Sequence, residues 1–348
     1  MAYTTINKSS EYFNTKLYTG NSSTQAVTGV GFQPDWTWIK CRNDAQEPRL
    51  VDSVRGTTKY LDASLAIAEL TDTNILTSFD TDGFTLGDDA ISNLNGNTHV
   101  AWNWKASGTA SSNTDGSITS SVSTSTTSGF SVVSYTGTGA NATIGHGLGS
   151  VPKMIIVKNR DNTTGFGVYH ASLGNTKYLQ LNATAAEGTA STFWNNTTPT
   201  SSVFSIGTSG WMNNSGEDYV AYCFAEKQGY SKFGSYVGNG STDGTFVYTG
   251  FKPAFVMIKN ASAASTDWLM YDKARGGPAS GVYGNNNKYF LRANTSGSES
   301  NESFDMLSNG FKIRISNNFL NGSGNTLIYM AFAEAPIVGS NNVPATAR

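Results

Sequence analysis

The sequence predicts an all-β protein of three tandem antiparallel β-sandwich repeats of jelly-roll type, and three observations carry that expectation. The first is composition: among 348 residues only 14% are charged and 37 are Gly, yet 12% are aromatic. Such a chain is rich in turn and strand formers, holds enough apolar mass for cores, and has no long Ala/Leu/Glu/Lys run at helical spacing. The second is one ordered set of five features that occurs three times. The third is a strict apolar/polar alternation in the late strand of each copy, the period of a half-buried strand.

The five features run in order along each copy. An aromatic strand ends in Tyr-Xaa-Gly at Tyr18-Thr19-Gly20, Tyr135-Thr136-Gly137 and Tyr236-Val237-Gly238. A Pro-led apolar strand follows and ends in Lys: Pro34 to Lys40, Pro152 to Lys158 and Pro253 to Lys259. Pro fixes φ and lacks a donor, which suits a strand's first residue or an edge. A Lys-Tyr pair comes next, at Lys59-Tyr60, Lys177-Tyr178 and Lys288-Tyr289, and then the alternating strand, Phe84/Leu86, Phe204/Ile206 and Phe311/Ile313. Asp82-Gly83 and Asn309-Gly310 supply hairpin-turn chemistry just before it. The closing strands, Val100 to Trp104, Tyr219 to Glu226 and Leu327 to Glu334, are apolar on both faces, as a central strand covered on both sides requires.

The prolines stand 118 and 101 residues apart, so each repeat is of domain length. The expected division is residues 1–106, 129–227 and 228–336 as β-sandwich repeats, with 107–128 a flexible Ser/Thr/Gly-rich linker or extended arm and 337–348 a loose tail. One stretch departs from the β pattern: Tyr60 to Leu70 carries Leu61, Leu65, Ala68 and Glu69 at helical offsets and predicts a short ornamental helix or a turn-rich loop.

Net charge is −2 with no Lys/Arg cluster, which speaks against nucleic-acid binding. No apolar run has the length of a membrane span, and the N-terminal residues lack the apolar core of a secretory signal, so synthesis and folding in the cytoplasm are expected. Cys41 and Cys223 fall at non-equivalent places inside apolar strands and read as buried free thiols.

Nothing in the sequence assembles a catalytic site, and no enzyme activity and no cofactor are expected. His99, His146 and His170 have no nucleophile-elbow motif beside them. Asp80 and Asp82 resemble a fragment of a calcium loop but lack the bidentate Glu, so a turn is the preferred reading. Glu226 and Glu334 are equivalent by repeat position, which points to a structural role, and Lys40, Lys158 and Lys259 read as surface caps of strands. Asp52-Ser53-Val54-Arg55-Gly56 and Asp272-Lys273-Ala274-Arg275-Gly276 share a pattern that the middle repeat lacks; a local Asp–Arg pair is the simple reading, a polar patch for a glycan or neighbouring subunit the sharper one. The candidate binding residues are aromatic: Trp194, Trp211, Tyr230, Trp268 and Tyr283 lie in Gly/Asn/Ser-rich surroundings, where a ring can stack on a sugar or anchor an interface.

Several stretches together resemble a repeat family of structural proteins from tailed, especially marine, bacteriophages. They are Tyr12 to Asn21, Gly29 to Trp36, Asp52 to Gly56, Phe79 to Phe84 and Val100 to Lys105. The resemblance is close over residues 12–106 and looser beyond, where the Asp-Gly-Phe and Trp-Asn-Trp signatures are degraded. It implies a virion component, a tail fibre or adhesin, or else a capsid decoration or head fibre, assembled in the host cytoplasm. The partners it implies are other virion proteins, further copies of the chain with a trimer as the expected oligomer, and a host-surface glycan. A carbohydrate-binding module of a surface protein is the alternative of a different class.

Overall fold

The computed structural model describes residues 4–276 and 289–336. The chain is all-β, with antiparallel sheets and single helical turns such as Ser191–Trp194 and Gly210–Asn213 between strands. Among the described residues no helix is long and apolar enough to cross a membrane.

Three large sheets share one strand order. In the first, Phe13–Thr19, Thr98–Trp104, Trp36–Cys41 and Arg49–Asp52 lie side by side. In the second the same succession is Phe130–Thr136, Asp218–Ala225, Pro152–Asn159 and Phe166–His170, and in the third Ser231–Val237, Thr326–Pro336, Phe251–Asn260 and Trp268–Asp272. The closing strand is therefore central in each. A small sheet accompanies each large one: Gln25–Thr28 with Gly83–Leu86 and Ser78–Asp80, Ala142–Gly145 with Val203–Ile206, and Phe246–Tyr248 with Gly310–Ile313 and Phe304–Leu307. The prolines behave as strand punctuation. Pro152 opens its strand, and Pro253 sits where the register with the closing strand shifts, a place where no ladder donor is needed.

Why the closing strands are apolar on both faces follows from their alternation. Ala101, Ala221 and Ala331 pack toward the small sheet of their own segment, in clusters with Phe84, Phe204 and Phe311. Trp102 and Trp104, Tyr222 and Phe224, and Met330 and Phe332 point the other way, into one cluster that draws on all three segments. Alternate residues of each closing strand thus enter two different cores, that of the near sheet and the shared one, as the period of two requires. At the centre of the shared cluster, Trp104, Phe224 and Phe332, which hold the same place in the three closing strands, form a triangle with ring centroids 5.9, 6.2 and 6.4 Å apart. Their separations lie in the range in which aromatic pairs attract beyond simple burial.

Two expectations are overturned. Residues 107–128 are not a flexible linker: Ser111–Asn113 and Ser120–Ser125 extend the second large sheet at the Phe130–Thr136 edge. Ile118 and Val122 are buried there, and the hydroxyls bond inward, Ser120 Oγ donating to Gly145 O at 2.8 Å. Composition alone does not separate a linker from a strand whose partner edge lies elsewhere in the chain. Nor is Tyr60 to Leu70 helical. Lys59–Tyr60 and Leu70–Thr71 pair as two short strands, and the Asp62 carboxylate accepts the Ser64 N–H and hydroxyl at 2.7 and 2.6 Å, a local turn that competes with helix formation. The tail 337–348 and Tyr283 lie outside the described residues.

Candidate functional site

The Asp-Xaa-Xaa-Arg pattern forms two buried charge nodes, each at a boundary between segments. At the first, Arg55 Nε donates to Asp52 at 2.5 Å, with both side chains fully buried. Asp52 also receives the Tyr222 hydroxyl of the second segment at 2.8 Å. Arg55 reaches Glu69 at 3.0 Å, and Glu69 accepts both Nε and Nη2 of Arg160, each at 2.9 Å. Burial works against the Arg55 charge, but Asp52, Tyr222 and Glu69 together hold its pKa above the usual value. The third segment repeats this arrangement against the first. Arg275 donates to Asp272 at 2.5 Å, Asp272 receives Trp102 Nε1 at 2.9 Å, and Glu299 joins Arg275 to Arg42 at 3.1 and 3.0 Å. Main-chain bonds match as well: Glu69 N to Arg160 O at 2.7 Å and Glu299 N to Arg42 O at 2.8 Å.

The remaining boundary, second segment to third, keeps the backbone contact and lacks the aspartate–arginine node. Glu187 N donates to Ala261 O at 2.8 Å, with Ala261 in the place of the bridging arginine. His170 stands where the aspartates stand, Leu173 where the arginines stand, and Met330 where Tyr222 and Trp102 donate. His170 Nδ1 accepts the Ser172 N–H at 3.2 Å, which leaves Nε2 as the donor to Tyr329 O at 3.2 Å. Burial pushes this imidazole down to about 4, so it is neutral at pH 7. Three further bonds cross here: Trp268 Nε1 to Gln180 O at 2.9 Å, and Lys259 Nζ and Thr266 N to Thr184 O, each at 3.3 Å.

These nodes were half legible. The motif is visible in the sequence, but Glu69, Glu299, Arg42, Arg160, Tyr222 and Trp102 were not linked to it. Aligning the three closing strands and the residues just after each Pro-led strand is the signal that finds them.

The aromatic candidates do not form one site. Trp194 is buried against Tyr169 in the second segment's own core, with ring centroids 5.6 Å apart. Tyr230 is buried in the shared cluster beside Tyr12 and Phe332, and Trp268 is buried in the same cluster. None of these three is an exposed platform for a sugar: each fills core volume that the Gly/Asn/Ser-rich surroundings leave open. Trp211 is half-buried on Phe193, on a turn capped by the Ser209 side chain.

The lysines also differ from expectation. Lys40, Lys158 and Lys259 are buried, not surface caps. Their stems lie in the sheet, and backbone carbonyls wrap each ammonium: Thr295 O at 2.6 Å for Lys40, Asn159 O at 2.5 Å and Asn162 O at 3.2 Å for Lys158, and Thr266 O for Lys259. Burial pulls all three down to about 8.

The other polar candidates are bound into the fold. Asp82 accepts Gly29 N and Gly31 N at 3.0 and 2.6 Å, where both glycines have positive φ, and Asp80 accepts the Ser78 and Thr85 hydroxyls at 2.7 Å. Among the described residues no group of three or more His, Cys, Asp or Glu side chains converges to hold a metal ion. His99 and His146 are buried and bond to Ile91 O and Thr200 O. Cys41 and Cys223 are free and buried. Glu226 pairs with Lys232, and Glu334 with Lys252 and Lys273.

A cleft of about 290 Å³ opens between the first and third segments, with Phe13, Ala254 and Ala333 on its walls and Asn14, Lys273 and Glu334 as polar groups. Burial opposes the Glu334 charge, but the two lysines outweigh it and hold the carboxyl below its ordinary range. The cleft offers a shallow apolar patch beside a satisfied ion pair.

No curated protein matches the chain. One family model, described as a domain of unknown function, DUF7483, matches residues 8–336 and so runs through all three large sheets and the core they share. The chain belongs to the DUF7483 family.

Proposed function

We propose that the chain is a structural protein of a bacteriophage virion, a tail-fibre or adhesion-appendage component acting in assembly and host-surface contact. In this reading it consists of three tandem antiparallel β-sandwich repeats closed around one core. The observation that carries it is the ring triangle of Trp104, Phe224 and Phe332, with matching main-chain bonds at all three boundaries. Three equivalent modules around a common axis reproduce, within one chain, the symmetry of a trimer. Such a body fits a threefold seat, at the end of a trimeric fibre or at a threefold position of a capsid, the second being the decoration variant of the same reading. Low charge suits a protein that packs extensively against neighbours.

Mass spectrometry of purified virions, with immunogold labelling, tests this, and the labelled part of the particle separates fibre from decoration. Light scattering of the purified chain gives its copy number: three copies fit a fibre shaft, one copy a cap on a threefold partner. Absence from virions, together with no affinity for any virion protein, would sink the reading.

A further inference from the structure

The second segment carries a strand addition that the others lack among the described residues. Ser120–Ser125 pairs with the Phe130–Thr136 edge, and just before it Ile118 lies parallel to Ile144, with Ile118 N donating to Thr143 O at 3.1 Å. Ile118 and Val122 thereby close the mouth between the two sheets. In the third segment the equivalent strands, Ser231–Val237 and Phe246–Tyr248, are both sheet edges with no further strand on them among the described residues.

Those uncovered edges have a distinct surface. Val237, Phe246 and Tyr248 are 58, 43 and 62% exposed. By register, their counterparts are Thr19, Ala26 and Thr28 in the first segment and Thr136, Thr143 and Gly145 in the second. Three positions that are small or polar in two segments are all large and apolar in the third. Thr245 Oγ1 donates to Val237 O at 2.8 Å, which ties the two strands into one patch. Exposed apolar edge strands invite pairing with another chain, and natural proteins ordinarily blunt them.

We propose that the open edges of the third segment, Phe246–Tyr248 and the end of Ser231–Val237, receive an extended strand from a partner protein, Ser/Thr-rich and carrying branched aliphatic residues four positions apart. The occupant's chemistry is read from Ser117 to Val122, which fills the equivalent place in the second segment. Its main chain supplies edge hydrogen bonds and its aliphatic side chains enter the mouth, the usual division of labour in strand addition. The exposed side chains explain why an outside strand can bind. The internal segment is tethered, with an effective concentration on the order of millimolar. A free partner lacks that help and needs the extra contact that Val237, Phe246 and Tyr248 provide. The proposal rests on this surface and not on the virion reading.

The test titrates a fluorescent peptide of residues 115–124 with the full chain, reading anisotropy, and follows hydrogen exchange of the complex. Saturable binding is expected, lost when the peptide carries Ile118→Ser and Val122→Ser. Binding should weaken at least tenfold in the Val237→Thr/Phe246→Ala/Tyr248→Thr chain, which takes the first segment's residues and should keep its melting temperature. Amides of residues 246–248 should become protected. No saturation, equal binding by the triple variant, or exchange changes confined to residues 142–145, where the peptide would have displaced its own parent segment, would each overturn the proposal.

Discussion

The boundary between the first and second segments and the boundary between the second and third solve one geometric problem with different chemistry. Both join a strand end to a neighbour's closing strand, and both keep the glutamate main-chain bond, at 2.7 and 2.8 Å. The first fills the junction with Asp52, Arg55, Glu69 and Arg160. The other fills it with His170, Leu173 and Met330, none of them charged at neutral pH. The lesson is that the packing frame, and not the ion pairs, defines the arrangement. Buried charges here are compatible with the fold and not required by it, consistent with the large desolvation cost that offsets their attraction.

That contrast gives the largest expected effect. Arg55→Met should destabilise the chain by about 3–5 kcal/mol, because Asp52 is left buried without its cation while Glu69 keeps only Arg160. The double change Asp52→Leu/Arg55→Met should cost clearly less, since it removes both charges and copies the character of the uncharged boundary. Denaturant unfolding of the wild type and both variants checks this. A double variant no more stable than the single one would mean that the ion pair does more than satisfy itself.

The uncharged boundary should instead be sensitive to acid. His170 has an ordinary pKa of 6.5, and burial lowers it to about 4 in the fold. The folded state thus binds its proton later than the unfolded state as pH falls. Stability from the neutral ring is fully present above pH 6.5 and is lost between there and about 4. The span corresponds to about 3 kcal/mol. His170→Gln keeps a donor for Tyr329 O and does not titrate. The stability difference between wild type and this variant should therefore shift by about 3 kcal/mol toward the variant from pH 7 to pH 4. A difference that stays flat across that range would show that His170 is not buried as a neutral ring.

How much of this was legible in the sequence depends on the range of the interaction concerned. Strand positions were legible, because alternation and turn residues such as Asp82-Gly83 are local. The two-faced closing strands were legible as central, because Val100 to Trp104 and its counterparts are apolar throughout. What covers their second face was not, since the triangle of Trp104, Phe224 and Phe332 joins residues more than a hundred positions apart. Lys40 and Lys259 depart from the surface for the same reason, whereas Lys158 is wrapped by its own loop through Asn159 O and Asn162 O. A lysine at a strand end belongs on the surface unless carbonyls from another loop wrap it, and Thr295 and Thr184 come from other segments. Residues 107–128 read as a linker because Ser and Thr serve a linker and an edge strand equally well, and only Ile118 and Val122, four apart, mark the strand. The exposed Phe246 and Tyr248 carry no signal in the sequence, because only their register beside Ala26 and Thr28 makes them unusual.

The smallest effect sharpens the comparison most directly, because it makes the same chemical deletion at two boundaries. Trp102 Nε1 donates to the buried Asp272 carboxylate, and Trp268 Nε1 donates to the neutral Gln180 carbonyl, both at 2.9 Å. Both indoles are buried in the shared cluster, so Trp→Phe removes similar packing at each. A hydrogen bond to a charged group contributes about 1.5–3 kcal/mol and one between neutral groups about 0.5–1.5 kcal/mol. Trp102→Phe should therefore cost about 1 kcal/mol more than Trp268→Phe in denaturant unfolding. The excess should change when Arg275, which also binds Asp272, is already replaced by Met, because the two donors share one carboxylate and their contributions are coupled. Equal costs for the two tryptophans would place the stabilisation in ring packing alone, and the distinction between charged and uncharged boundaries would then reduce to Asp52, Asp272 and their arginines.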